Sequence, residues 1–367
     1  MTQNFFFISR LNGKSLLVRT LVASLFTSLV VACHSDNQVD ETPQLEVEFV
    51  ERHLDGLIAN RVLAADDGIY VATDKGVYKS VDQFSWELIS TQDWDVKDII
   101  ELDTSHLMVS VIYRGTNQLN ESFDGGLSWH QIRTSFGPGR DGRFDTVNRL
   151  FWDENAQTLF ASGVDVLAKS YDRGASWELV SGIWNSFGSG IWAIAYSAEK
   201  DTVFYGGQGA IENPILRRVD LTQASEKSFD LTDLLPAPST IREIQFDTDN
   251  ADTVYASGEG GIVASTDLGE NWVSILSDNN SRFYFDFVKD ERFSNHIYTA
   301  GWNKVFDDPQ PLIVEVSLDN GASWQQFLHP DPDIFGGVRS MDIVYEEEQA
   351  FIYLGLYKGG VMKVLIK

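Results

Sequence analysis

The sequence predicts an all-β protein in which one four-stranded unit is repeated seven times and closed into a ring. Two observations support this. An octapeptide with the template Ser-x-Asp-x-Gly-x-[Ser/Asn]-Trp occurs four times, and a short strand of β-branched and aromatic residues ending in small residues occurs seven times. Similarity that recurs at a spacing of roughly 20–50 residues is typical of repeat architectures. Because no helical periodicity of useful length interrupts the pattern, the fold class predicted is a seven-bladed β-propeller.

The first 32 residues resemble an export signal. Arg10, Lys14 and Arg19 precede an apolar run of 12 residues that ends at Ala32, whereas a membrane-spanning helix needs about 20 residues. The run closes with Val-Val-Ala-Cys, which resembles the lipobox of bacterial lipoproteins and implies that Cys33 is lipidated. An incidental cysteine after an ordinary signal is the alternative. We expect residues 1–32 to be a lipoprotein signal peptide.

Cys33 is the only cysteine, so an internal disulfide is excluded. Residues 33–44 lack apolar periodicity and predict a flexible tether. The residue after Cys33 is His34 rather than Asp, which resembles lipoproteins sorted to the outer membrane. We therefore expect a protein of the bacterial cell envelope, lipid-anchored at the outer membrane and facing the periplasm or the outside.

The chain beyond the signal is strongly acidic. The whole sequence has a formal charge of −26, and removing the three bases of the first 32 residues leaves 25 bases against 54 acids, or −29. Such a surface repels nucleic acid and anionic lipid headgroups. The charge favours solubility, and a cationic partner is the alternative. No nucleic-acid partner is expected.

The seven short strands define the period of the repeat, which spans residues 45–367 as a single domain. The first begins at Ile69 and the last at Ile352, so 283 residues cover six intervals with a mean near 47. An apolar strand precedes each one, while a Gly-containing turn and a third strand follow it. The seven are Ile69–Ala72, Leu107–Ser110, Leu159–Ser162, Val203–Gly206, Val254–Ser257, Ile297–Ala300 and Ile352–Gly355.

The two ends of this domain predict how the ring closes. The last unit stops after its third strand, Gly360–Val364, and has no octapeptide. Residues 45–50 precede the first unit without a unit of their own, and they alternate as a strand with one buried face. We expect the segment at about residues 45–51 to complete the last blade as its outermost strand.

The octapeptide predicts a self-contained turn. Its Ser hydroxyl and Asp carboxylate can accept backbone N–H groups, its Gly can adopt positive φ, and its Trp can pack between units. The pattern resembles the Asp-box, or BNR repeat, which implies a structural role on the edge away from the ligand face. The residues concerned are Ser122, Asp124, Gly126, Trp129, Ser170, Asp172, Gly174, Trp177, Ser265, Asp267, Gly269, Trp272, Ser317, Asp319, Gly321 and Trp324.

Two further units carry degenerate copies of the octapeptide. Ser80–Trp86 lacks the Gly and is one residue short, and Asp220 opens a longer loop in which Phe229 is expected to replace the Trp. A single Asp in each turn makes a poor calcium site, because Ca²⁺ takes roughly 6–8 oxygen ligands. No metal and no cofactor are predicted.

Candidate binding residues lie in the loops predicted for the opposite rim, because ligands of propellers usually meet loops there. Aromatic and cationic side chains in these loops suggest a surface for sugar, peptide or an acidic patch. That these Trp residues belong to the core is the equally weighted alternative. The candidates are Trp94, Arg114, Arg140, Arg143, Trp184, Trp302 and Lys358.

Enzymatic signatures are absent from the sequence. Sialidases share the Asp-box but carry a Phe/Tyr-Arg-Ile-Pro motif, and Ile241-Arg242 begins a strand without a Pro. Xyloglucan-type hydrolases pair two such propellers around a cleft, and one ring offers no such cleft. No HExxH, nucleophile elbow or phosphate loop occurs. We expect no enzyme, glycosidase being the one plausible activity.

The overall pattern resembles the Ycf48-like family of exported, often lipidated, seven-bladed propellers related to photosystem II assembly factors. The resemblance covers residues 45–367 and rests on the repeat motifs quoted above. It implies a non-enzymatic lipoprotein that serves as a protein-binding scaffold or assembly factor, with an envelope or membrane protein as partner. A carbohydrate-binding, glycoside-hydrolase or sialidase-like propeller with a glycan ligand is the alternative.

Overall fold

The computed structural model describes residues 45–132, 136–137, 145–347 and 349–367, which form seven four-stranded antiparallel sheets. The predicted all-β, seven-bladed propeller is confirmed. A leading strand, β1 (Val47–His53), precedes the blades. Blade A consists of β2 (Ala59–Ala65), β3 (Gly68–Thr73), β4 (Gly76–Ser80) and β5 (Glu87–Leu88), and blade B of β6 (Trp94–Asp103), β7 (His106–Tyr113), β8 (Thr116–Ser122) and β9 (His130–Gln131). Blade C consists of β10 (Arg149–Asp153), β11 (Thr158–Ser162), β12 (Val166–Ser170) and β13 (Glu178–Gly182), and blade D of β14 (Gly190–Ser197), β15 (Thr202–Gln208), β16 (Pro214–Asp220) and β17 (Ser225–Ser228).

The remaining blades complete the ring. Their strands are β18 (Ile241–Phe246), β19 (Val254–Gly258), β20 (Gly261–Ser265), β21 (Val273–Ser277) in blade E; β22 (Phe287–Lys289), β23 (Ile297–Gly301), β24 (Ile313–Ser317), β25 (Gln325–Leu328) in blade F; and β26 (Val338–Glu346), β27 (Gln349–Leu356), β28 (Gly360–Ile366) in blade G. The seven predicted marker strands are the second strands of the blades. Their apolar side chains pack between neighbouring blades, as where Val71 of blade A meets Tyr353 of blade G.

Blade G is completed by the N-terminal strand, as predicted. Strand β1 pairs antiparallel with β28, from Val47 opposite Ile366 to His53 opposite Val361. It begins and ends two residues later than the predicted segment. Val47 and Phe49 turn their side chains to the core of blades F and G. Because the first and last residues of the domain share one sheet, the chain closes its own ring without a disulfide.

The octapeptide turns form the hydrogen bonds that their residues predict. In the copy at Ser122, the Gly126 N–H donates to the Ser122 hydroxyl oxygen at 2.8 Å, and the Ser128 N–H donates to the Asp124 carboxylate at 2.8 Å. Gly126 has φ of 94°. Hydrogen bonds from the Ser128 side chain, the Ser128 N–H and the Ser122 hydroxyl lower the pKa of Asp124 to about 2. An aspartate held ionised in this way is a poor proton donor, which fits the structural role expected of the turn.

Replacing Ser122 tests this role, because its hydroxyl is buried and accepts the Gly126 N–H. We expect Ser122→Ala to lower the free energy of unfolding by about 1–3 kcal/mol, the usual cost of orphaning a buried polar group. Urea denaturation measures the change. The exposed Ser128 supplies the control, because Ser128→Ala leaves the buried amide paired. Equal effects of the two substitutions would show that the buried hydrogen bond is not what stabilises the turn.

The two degenerate copies of the octapeptide differ in structure from each other. In the first, Gln83 takes φ of 66° in place of a glycine, and the Asp82 carboxylate still accepts the Ser85 N–H at 2.8 Å. In the second, the expectation that Phe229 replaces the Trp is wrong. Phe229 follows the fourth strand of blade D instead of preceding it, and Trp272 of blade E packs against it with ring centroids 5.7 Å apart. Phe229 is therefore the surface that receives a tryptophan from the next blade.

The propeller has two faces with different loops. Loops joining first to second strands and third to fourth strands share one face, which we call the octapeptide face; for example, Gly125 donates its N–H to the Ser105 carbonyl. Loops joining second to third strands, and one blade to the next, lie on the other, which we call the opposite face. Within the described residues, no helix is long and apolar enough to cross a membrane.

Candidate functional site: the mouth of the central channel

The innermost strands of the blades line a central channel, and most of them bulge at the same level. Register shifts in five blades leave one extra residue on the innermost strand. The extra residue of a bulge lies outside the pairing ladder and re-aims its side chain. With the corresponding residues of the other two blades, these side chains form one layer near the opposite face, which we call the basic layer: Asn60, Lys97, Asn148, Trp192, Arg242, Phe285 and Arg339.

The next layer, which we call the ion layer, is a buried network of two arginines and three acids. Arg149 meets Glu243 at 2.6 Å, and Arg61 meets Asp286 at 3.3 Å and Glu243 at 3.5 Å. Asp98 lies 3.8 Å from Arg149 and its carboxylate also accepts the Leu150 N–H at 2.6 Å. Since these carboxylates bind both arginines and backbone amides of neighbouring blades, the ion layer ties the blades together.

Burial and the charges of neighbouring side chains shift the pKa values of Asp286 and Arg61 in the ion layer. Burial and the nearby Glu243 raise the pKa of Asp286 to about 7, although Arg61 and Arg149 oppose the shift. Burial alone would lower the pKa of Arg61, but the charges of Asp286, Glu243 and neighbouring acids raise it above its ordinary value. Arg61 therefore stays charged, and the layer can take up a proton at Asp286 near neutral pH.

The basic layer differs because its two arginines have no direct carboxylate partner among the described residues, although Glu243 and Asp95 favour their charged forms from a distance. Neither Arg242 nor Arg339 makes an ion pair or a hydrogen bond with any residue that the structure describes, and the buried Arg339 Nε lacks an acceptor. Lys97 pairs with Asp95 at 2.5 Å. Burial, Arg339 and Arg149 lower the pKa of Arg242 to about 9. A small cavity of about 80 Å³ lies between the two layers.

Aromatic side chains hold Arg242 in place. Its guanidinium lies 4.4 Å from the Trp192 ring centroid and 4.5 Å from that of Phe285. Phe285 packs edge-on against Trp302, with centroids 5.3 Å apart, and Trp302 stacks on Tyr357 at 5.2 Å. Trp302 is fully buried. Of its two predicted placements, core and exposed rim, the structure shows the core, where Trp302 supports the wall of the site.

The other sequence candidates lie around the opposite face, and Lys358 contacts Phe306 and Tyr357, which also contact Trp302. Trp94 is buried between blades A and B, and Trp184 is half-buried against Phe136, with ring centroids 5.0 Å apart. Arg114 is exposed beside Tyr113. Lys358 donates to the Phe306 carbonyl at 2.9 Å. Arg140, Arg143 and Cys33 lie outside the described residues.

Sequence analysis missed Lys97, Trp192, Arg242, Phe285 and Arg339. The signal that could have found them is their shared position on the first strand of the repeat. Aligning the units on that strand places three cations and no acid at one level of the ring.

Gly190 offers a test of the aromatic wall. A Cβ built at Gly190 would lie 2.3 Å from the Cζ2 atom of Trp192, so the indole occupies the space that any side chain would need. We expect Gly190→Ala to displace the indole, to change tryptophan fluorescence and to cost about 1–3 kcal/mol of stability, as overpacking does. Urea denaturation followed by fluorescence measures both. Native fluorescence and stability in the variant would contradict this packing.

A larger cavity of about 760 Å³ opens at the other end of the channel, on the octapeptide face. Trp152 and Tyr196 lie in its wall together with Glu101 and Glu199. Burial raises the pKa of Glu101, and Lys200 pairs with Glu199 at 3.3 Å. Among the described residues, no group of three or more His, Cys, Asp or Glu side chains is placed to hold a metal ion.

The fold has known structural neighbours, although no family model matches the sequence and no curated protein matched it. The structure is similar to that of Ycf48 bound to D1 peptide (TM-score 0.59, 15% identity, 88% of this chain and 97% of that chain). It is similar to a GH74 xyloglucanase of Xanthomonas campestris (TM-score 0.60, 15% identity, 87% of this chain and 53% of that chain). It is also similar to the extracellular domain of a putative one-component system of B. thetaiotaomicron (TM-score 0.62, 11% identity, 87% of this chain and 40% of that chain). At these identities the likeness shows the propeller fold and no more.

Proposed function

We propose that the protein is a non-enzymatic, lipid-anchored binding protein of the bacterial cell envelope, anchored at the outer membrane, whose opposite face holds a segment of a partner protein. The observation that carries this is the basic layer. In a chain with 54 acids against 28 bases, two arginines without an ion pair or hydrogen bond among the described residues line one cavity at the mouth of the channel. Function in propellers resides in such sites, since the fold itself is shared by many activities.

Two facts support a protein partner. The neighbour described as Ycf48 bound to D1 peptide shows that a propeller of this form can hold a peptide. Loops of the opposite face expose apolar side chains: Ile211, between β15 and β16, is 86% exposed, and Ile183, between blades C and D, is 70% exposed. Exposed apolar side chains on one face suit a protein interface. The expected lipid on Cys33 would keep the propeller at the membrane surface.

Photo-crosslinking tests the proposal with a matched pair of positions. Ile211 on the opposite face and Leu127 on the octapeptide face are equally exposed, each at 86%. We expect benzoylphenylalanine at position 211 of the full chain, irradiated in intact envelopes, to give one dominant protein adduct, and position 127 to give none. Adducts from position 127 alone, or from neither position, would refute the proposed face.

The larger cavity favours a second candidate, carbohydrate binding or hydrolysis. Aromatic walls suit sugar rings, and glycosidases use a carboxyl group of raised pKa beside a second carboxylate. Glu101 has such a raised pKa, and Asp153 lies in the same cavity. Incubation with xyloglucan oligosaccharides decides the matter, because turnover lost in Glu101→Gln would establish a hydrolase. Without turnover or binding by the wild type, this candidate fails.

A further inference from the structure

We propose that the basic layer is a carboxylate site, in which one carboxylate group lies between Arg242 and Arg339 in the cavity above the ion layer. The group comes from an acidic side chain of a partner or from a free carboxylic acid. The inference deepens the proposed function, because it names the chemistry that the mouth of the channel would recognise.

The first support is charge that the fold compensates only from a distance, through Glu243 and Asp95. A few ångströms deeper in the channel, Arg149 and Arg61 have carboxylate partners at 2.6 and 3.3 Å. Arg242 and Arg339 have none among the described residues, and their like charges lie close enough for Arg339 to lower the pKa of Arg242. Shielding unpaired charges from water is costly, and leaving two together costs more. A bound anion removes that cost.

The second support is geometry. Arg242 Cζ lies over the rings of Trp192 and Phe285, which come from the blades on either side of blade E, and these contacts leave the guanidinium N–H groups without an oxygen acceptor among the described residues. A guanidinium edge matches the two oxygens of a carboxylate in a bidentate pair. The Arg339 Nε lacks an acceptor. Donors from two strands thus lie around one cavity, with flat aromatic walls that suit a planar group.

The third support is size. The cavity holds about 80 Å³. A water molecule takes roughly 30 Å³ in the liquid, so the space accommodates a carboxylate group with its first methylene. The size therefore selects the end of an acidic side chain or of a short free acid.

Thermal shift and calorimetric titration of the full chain with glutarate test the site, with the neutral diamide glutaramide and inorganic phosphate as comparators. We expect glutarate to bind saturably and to raise Tm, glutaramide to do neither, and phosphate to bind more weakly. Arg242→Gln and Arg339→Gln should each weaken glutarate binding at least tenfold. Arg173, an arginine on the octapeptide face that pairs with Asp103 at 2.6 Å, supplies the control; Arg173→Gln should stay within twofold of the wild type.

The fold of the variants has its own readout. Because Arg242→Gln removes a buried charge that makes no ion pair among the described residues, its Tm without ligand should equal or exceed that of the wild type, which separates loss of binding from loss of structure. Absence of saturable binding, equal binding of glutaramide, tighter binding of phosphate, or full affinity in Arg242→Gln would each overturn the proposal.

A second titration distinguishes the source of the carboxylate. It uses an acetylated and amidated hexapeptide with one central Glu, and the same peptide with Gln. Tighter binding of the Glu peptide than of glutarate supports a protein-derived group. If glutarate binds and the Glu peptide does not, the natural ligand is a free acid and the carboxylate site stands. The site would then no longer support the proposed protein partner.

Discussion

Deleting residues 45–53 should destabilise the propeller by about 5 kcal/mol or more. The deletion removes β1, which pairs with β28 over the whole length of blade G. Each ladder hydrogen bond contributes about 1 kcal/mol, and the half-buried Val47 and Phe49 contribute about 1–2 kcal/mol each. The deletion also exposes β28 as a new sheet edge, which favours aggregation. Urea denaturation of both proteins measures the difference.

A matched pair of point variants isolates the packing of β1. Phe49 faces the core of blades F and G, whereas the neighbouring Val50 is 41% exposed. We expect Phe49→Ser to lower the unfolding midpoint clearly and Val50→Ser to leave it nearly unchanged. If the deletion variant kept the wild-type midpoint, the ring would close without β1 and the account of its stability would be wrong.

Replacing Arg61 should be the most damaging single substitution in the channel. Arg61→Met leaves Asp286, Asp98 and Glu243 with Arg149 as their remaining arginine. Breaking a buried ion network by removing one partner costs about 3–5 kcal/mol. We expect a loss of that size in the free energy of unfolding at pH 8, measured by urea denaturation.

The same variant should recover part of its stability in acid. The folded-state pKa of Asp286, about 7, lies above the ordinary value for an aspartate, so its ionised form is disfavoured by folding. The free-energy cost of holding Asp286 ionised in the folded state is fully present above pH 7 and is lost as the pH falls towards 4. Without Arg61 the pKa rises further, so the difference between variant and wild type should shrink at pH 5.5. Arg52→Met, which breaks an exposed pair with Asp55, is the control. Equal losses at pH 8 and 5.5 would contradict this role for Asp286.

Much of the fold could be predicted because its signals are local. Each octapeptide carries all the hydrogen-bonding groups of its own turn, so Ser122, Asp124 and Gly126 specify the turn wherever they occur. The unpaired strand before the first unit and the missing strand after Gly360 together predicted closure. Phe229 was misplaced because the loop after Asp220 has no octapeptide, and aromatic character alone does not distinguish a residue before a strand from one after it.

The candidate site could not be predicted in the same way, because its residues are brought together by the ring. Asn60 precedes the marker strand of its blade at Ile69 by nine residues, whereas Arg339 precedes Ile352 by 13. Hairpins of different length conceal the common level of the basic layer, and bulges shift side chains out of simple alternation. Burial of Trp302 likewise depends on Tyr357, which lies in the next blade.

The central claim is that binding belongs to the mouth of the channel on the opposite face, whereas the octapeptides serve the fold. Hydrogen exchange of the full chain with and without the Glu-containing hexapeptide tests it most directly. The account predicts slower exchange in the loops at 54–58, 230–240, 278–286 and 329–337, and unchanged exchange in the turns at 122–129, 170–177, 265–272 and 317–324. Protection confined to those turns, or no protection anywhere, would contradict it.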